Sequence, residues 1–197
     1  MNAKFIASLV LVSLVFASVA AAGSGVILKV DASSRSGAYL GLGEFLYKAG
    51  MGDSAESAYL KSISLEDSAL ARHNLGIIYS DLGLYAEAEE QFRAAVLLDP
   101  DYAMARKSLA VLLFESGRFR DATDSFRAQA QLEESAQAYF DLGVALVKSV
   151  MAESGTIEDL LEARSSFAAA ERISPGYPHA ASNQAAVEGL IGSLGRQ

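Results

Sequence analysis

The chain has 197 residues, 51% of them hydrophobic, with three prolines, no tryptophan, no cysteine and a formal net charge of −8. That is enough for one ordinary domain or one short repeat array, and the composition favours helices over a sandwich or barrel. The acidic balance repels nucleic-acid phosphates, and the lack of cysteine excludes disulfides, thiolate metal sites, thiol nucleophiles and a lipid-modified cysteine.

Residues 1–22 differ from everything after them. Met1 to Lys4 is a short polar start with one positive side chain, and Phe5 to Ala22 carries no charge. Its strongly apolar part, Phe5 to Phe16, has the length of a signal-peptide central region. Ser18-Val19-Ala20 and Ala20-Ala21-Ala22 both fit a small-x-small cleavage site, and Gly23-Ser24-Gly25 follows as a flexible joint. The expectation is an export signal, which places the rest of the chain in the periplasm or outside the cell. The alternative is an uncleaved membrane anchor facing outward, because an 18-residue apolar run lies at the lower edge of what spans a bilayer. Val26 to Val30 is a short β-prone run, and residues 23–35 read as a linker.

From residue 36 onward one pattern recurs. Residues 69–102 carry Leu75-Gly76, Tyr79, Gly83, Tyr85, Ala88, Phe92, Ala95 and Pro100. Residues 103–135 repeat it 34 positions later as Leu109-Ala110, Leu113, Gly117, Phe119, Ala122 and Phe126, with Gln129 for the last alanine and Glu134 for the proline. Residues 36–68 show Leu42-Gly43, Leu46, Gly50, Ala55 and Tyr59. Residues 136–177 show Leu142-Gly143 and Leu146, then Ala163, Phe167, Ala170 and Pro175 after eight extra residues. Each position has a physical reason. The leucine and the large residue four further on form the apolar face of a first helix. The small residue beside the leucine admits a second helix at close range. The next glycine takes the left-handed backbone that ends a helix, and the proline stops the second helix. In the fourth unit the first helix is predicted from Ala136 to about Glu153, broken by Ser154-Gly155, with Thr156 and Asp159 capping the next helix. The extra length reads either as tolerated loop drift or as a specific partner or self-association contact. Residues 178–191 read as a closing helix on Ala181, Ala185, Val187 and Leu190, and 192–197 as a tail.

The pattern resembles the tetratricopeptide repeat family, over about residues 36–177 and best over 69–102. The usual first aromatic is absent there, with Arg72 in its place. The resemblance implies an all-α fold: an α-α superhelix of about four helix-turn-helix repeats plus a C-terminal capping helix. It also implies a protein or peptide partner held along the concave face of the first helices. Carried over by position, the candidate groove is Leu70, His73, Asn74, Ile77 and Asp81 in the second unit. In the third it is Met104, Lys107, Val111 and Phe114, and in the fourth Phe140, Asp141, Val144 and Lys148. Ile77, Val111 and Val144 recur at one offset; they either form an apolar binding stripe or complete contacts between neighbouring first helices. Phe114 and Phe140 are expected to widen the stripe as exposed apolar groups, and Asn74 to hydrogen-bond a partner backbone. The carboxylate grip of some family members is not expected, since Leu40, Gly41 and Glu44 stand where positive or amide groups would be needed.

Nothing in the chain reads as catalytic. His73 and His179 lie far apart with no acidic residue at metal-ligand spacing, and no nucleophile elbow or phosphate loop occurs. Gly52-Asp53-Ser54 is expected to be a helix start capped by Asp53 or Ser54, and Glu87 to Glu90 a solvated face. The expected function is an exported scaffold for protein–protein interaction in assembly of a cell-envelope complex. It would use no cofactor, metal, small-molecule substrate or nucleic acid, and touch a membrane only if the N-terminal segment stays uncleaved. The alternative is a membrane-anchored structural subunit that self-associates.

Overall fold

The computed structural model describes residues 31–153 and 156–194. The expected export signal, the Val26 to Val30 run and the Ser154-Gly155 break lie outside these residues. The described residues are helices and turns arranged in two compact units, one ending at Leu98 and the other beginning at Asp99. None of their helices is long and apolar enough to cross a membrane.

The first unit contains α1 (Ala32–Lys48), α2 (Gly52–Leu65), α3 (Ala69–Asp81) and α4 (Tyr85–Leu98). Its core gathers Leu42 and Leu46 of α1, Ala55, Ala58 and Tyr59 of α2, and Leu75 and Ile78 of α3. The small residues of the repeat set how closely the helices approach. A Cβ on Gly43 would lie 2.5 Å from the Tyr59 ring, and one on Gly76 would lie 2.6 Å from the Phe92 ring. Only glycine lets those aromatic rings come this close to the backbone. The turns share one device. Gly50 and Gly83 take φ of 73° and 74°, and the next amide bonds back five residues, Met51 N to Leu46 O and Leu84 N to Tyr79 O. This is the glycine-ended helix terminus expected of the pattern.

Two local expectations are corrected. Residues 32–35 are not linker but the first turn of α1, because the Asp31 carboxylate accepts from Ser34 N at 2.7 Å and caps the helix. Ser36 is buried rather than solvated: its hydroxyl lies 3.0 Å from that of Ser62, and Ser62 Oγ donates to Ser36 O at 3.0 Å. A serine-rich stretch here fastens α1 to α2. The second correction concerns the start of α2. Met51 holds the cap position without a side-chain bond, and Asp53 sits inside the first turn, where its charge favours the helix dipole. Arg72, at the place of the missing aromatic, donates to Asp67 and to Gln91 Oε1 of α4, tying the hairpin by hydrogen bonds.

The second unit contains α5 (Ala103–Glu115), α6 (Phe119–Glu133), α7 (Ala136–Glu153), α8 (Ile157–Ile173) and α9 (Ala180–Leu194). Gly117 repeats the turn device at φ 75°. Where the pattern has Glu134 in place of proline, α6 ends on that glutamate in the left-handed region at φ 46°. Gly143 lies under the Phe167 ring, with a Cβ position 2.7 Å away. Helix α7 spans 18 residues against 13 for α3 and α5, as the extra residues predict. Thr156 and Asp159 form a reciprocal capping box, with Asp159 N to Thr156 Oγ1 at 3.3 Å and Thr156 N to Asp159 Oδ2 at 3.0 Å. Arg127 of α6 forks onto both oxygens of Glu162 of α8, at 2.7 and 2.9 Å. The closing helix begins at Ala180 and buries Ala180 and Val187; Ala181 and Ala185, expected on its apolar face, are exposed.

Candidate functional site

The candidate groove residues of the first unit fall into two groups. Leu70 and Asp81 are exposed and Ile77 is half-buried, so these reach the surface of α3. Asp81 accepts from the Tyr47 hydroxyl at 2.7 Å, which pushes that phenol's pKa up. His73 does not belong to the surface. It is 3% exposed, with its ring centroid 5.7 Å from that of Phe92, and burial pushes its imidazole pKa down. The helical turn that leaves Leu70 exposed carries His73 round toward α4, and a flat polar ring packs there as core. Asn74 is half-buried and hydrogen-bonds the Tyr59 hydroxyl of α2, so this amide joins the first hairpin to the second before any partner. Tyr59 itself is pushed up to about 12, chiefly by burial.

In the second unit Met104 and Val111 are exposed on α5. Phe114 is not an open apolar group: it is half-buried, edge-on to Phe119 at 5.1 Å and to Phe126 at 6.5 Å. Phe140 is likewise engaged, edge-on to Phe167 at 5.5 Å and 5.4 Å from Tyr177. Both rings complete their own hairpins, because the aromatic of each second helix offers an edge that a ring one turn away can cover. Lys107 faces Asp141, whose carboxyl is pushed up by burial and held partly down by the bond from Gln137 Nε2 at 2.6 Å and by Lys107. Gln137 in turn accepts from the Tyr177 hydroxyl.

Val144 and Lys148 are brought to an opening that the repeat pattern alone does not reveal. They join Val147 and Met151 on one face of α7, at i, i+3, i+4 and i+7. Asn183, Ala186, Val187 and Leu190 present the same spacing on α9, and Phe167 of α8 joins the lining. The result is an apolar groove with a cavity of about 220 Å³. Its signal in the sequence is the helical spacing of residues 183–190, hidden by an alanine-rich segment where exposed and buried alanines look alike. Met151, 69% exposed, lies in the part of α7 that exceeds the repeat length. A second cavity of about 320 Å³, lined by Arg120, Thr123, Asp124, Arg127, Leu146, Ser149, Thr156 and Asp159, mixes cations and carboxylates, and its Arg127 is held by Asp124 and Glu162. Among the described residues no three of His, Cys, Asp and Glu gather as metal ligands.

No curated protein matches the chain. Solved structures do resemble it in fold. One is YrrB, described as a tetratricopeptide protein with an unusual peptide-binding site, at TM-score 0.66 and 23% identity, covering 78% of this chain and 76% of that one. Another is MamA from residue 41 onward of Desulfovibrio magneticus RS-1, at TM-score 0.62 and 17% identity, covering 82% of this chain and 96% of that one. A third is the first tetratricopeptide region of Spaghetti (RPAP3) bound to the HSP90 peptide SRMEEVD, at TM-score 0.55 and 23% identity, covering 59% of this chain and 95% of that one. The tetratricopeptide repeat pattern matches residues 73–131 and 113–178, more than half of the sequence. With the glycine–aromatic seams and glycine-ended turns in place, the chain belongs to the tetratricopeptide repeat family.

Proposed function

We propose that this protein is an exported, non-catalytic docking scaffold that holds a protein or peptide partner during assembly of a cell-envelope complex. The observation that carries the reading is the open, mainly apolar groove between α7 and α9, in which only Lys148 and Asn183 carry polar side-chain groups. Such a surface gives binding energy through burial and offers nothing to chemistry. The family is one of protein-interaction scaffolds, and two of its similar structures are named for a peptide-binding site and a bound peptide. Export rests on the uncharged run from Phe5 to Ala22 after Lys4. Nucleic acid, metal, cofactor and small-molecule substrate have no place in this reading, and a membrane enters only through that run.

The test has two arms. Photo-crosslinking from position 151 in cells of the source organism should trap a specific partner that Leu190→Asp releases. Trapping that is indifferent to Leu190→Asp and equal from position 93, on α4, would remove the reading. Mass measurement of the native protein should find a start near Ala21 or Gly23. An intact Met1 end would instead support the anchored form.

A further inference from the structure

We infer that the groove between α7 and α9 takes an amphipathic helix from a partner protein, with aliphatic residues on one stripe and an acidic residue flanking it at Lys148. This rests on the scaffold reading and names its occupant. Three observations lead to it. The cavity, about 220 Å³, is smaller than the roughly 300–1,000 Å³ of small-molecule pockets but suits one or two inserted aliphatic side chains. The walls offer almost no hydrogen bonding: among the lining residues only Asn183 and Lys148 carry polar side-chain groups. An extended segment laid there would bury amides without partners, whereas a helix satisfies its own backbone. The stripes on α7 and α9 both run i, i+3, i+4, i+7, the spacing into which a third helix of the same period meshes.

Charge selects the flank. Lys148 is the single charged group of the lining, is exposed, and has no ion-pair partner among the described residues. A carboxylate on the incoming helix supplies one. A second copy packed symmetrically through this groove would instead set two Lys148 side chains on the same interface, each needing an anion. The extra length of α7 then has a use, since Met151 extends the apolar wall beyond the end of an ordinary repeat helix.

The probe is a synthetic 18-residue helix with leucines on one stripe and glutamates along its edge, followed by fluorescence anisotropy with the full chain. It should bind saturably at one site. Met151→Asp and Leu190→Asp place a charge on the apolar wall and should weaken binding at least about tenfold. Lys148→Glu should weaken it about three- to fivefold and reverse the preference, so that a lysine-edged probe binds better than the glutamate-edged one. Circular dichroism checks that these surface variants stay folded. Equal affinity for a proline-interrupted probe, or indifference to Met151→Asp and Leu190→Asp, would overturn the proposal, as would an unchanged charge preference in Lys148→Glu. Sedimentation showing that the groove variants abolish dimers while the probe fails to bind would assign the groove to a second copy instead. If the probe fails but the partner trapped from position 151 is still released by Leu190→Asp, the scaffold reading stands and the helical occupant falls.

Discussion

The second and fourth helical hairpins close by the same seam and differ in how far they run past it. In α3–α4 Gly76 lies under Phe92, and in α7–α8 Gly143 lies under Phe167. Beyond the seam α3 ends within two turns at Asp81, while α7 continues to Glu153 before its partner helix begins under a capping box. The seam is fixed by contact at van der Waals range, where one methyl group is felt. Past it, length is free to vary, and in α7 the added turns build surface instead of core. The third hairpin is an internal control. Ala110 stands at the small position of the repeat and is buried, as is Phe126 sixteen residues on, so this unit carries a methyl where the others have glycine.

The comparison can be broken in several places. The largest effect is expected from Phe92→Ala and Phe167→Ala, each destabilising its own unit by about 3–5 kcal/mol in denaturant unfolding. Only Phe167→Ala should also abolish probe binding, because Phe167 lines the groove. Gly76→Ala and Gly143→Ala come next. Each added Cβ meets a ring edge at 2.6–2.7 Å, so overpacking of about 1–3 kcal/mol should outweigh the roughly 1 kcal/mol gained in helix propensity. The reverse change Ala110→Gly should cost about 1–2 kcal/mol, from backbone entropy and the loss of a buried methyl. If all three seams respond alike, the seam is not what distinguishes the glycines.

Thr156→Ala removes the cap that starts α8 and should cost about 1 kcal/mol, with Asp159→Asn costing less because an amide oxygen still accepts. The pH dependence of the first unit is the smallest effect. His73 is buried with its pKa held below the ordinary value near 6.5, so the unfolded chain binds its proton first. Its contribution is fully present above that ordinary value and is lost as pH falls below it toward the folded pKa. Unfolding midpoints measured between pH 8 and 5 should decline on the acid side, and His73→Met should remove that part of the slope.

Much of this was legible in the residues because packing recurs. The 34-residue offset marks the seams, the turn glycines and the long α7, and the pair Thr156 and Asp159 marks the start of α8. What failed to show has physical causes. Ser33, Ser34 and Ser36 carry a linker's composition, yet Asp31 caps a helix and Ser36 is buried against Ser62. His73 sits at a surface register but turns its ring onto Phe92. Phe114 and Phe140 have the residue type of an open hydrophobic patch, and only the geometry of neighbouring rings reveals that they are covered. Repeat logic points along equivalent positions of successive first helices. It says little about α9, whose stripe completes the groove from outside the repeats.

The central claim is that the partner seat lies between α7 and α9. It is tested most directly by titrating the synthetic helix into methyl-labelled protein and following valine, leucine and methionine resonances. The account predicts that Val144, Val147, Met151, Val187 and Leu190 shift together and saturate at one equivalent, while Leu70, Met104 and Val111 stay still. Shifts confined to Leu70, Met104 and Val111, with the α7 and α9 methyls unmoved, would contradict it.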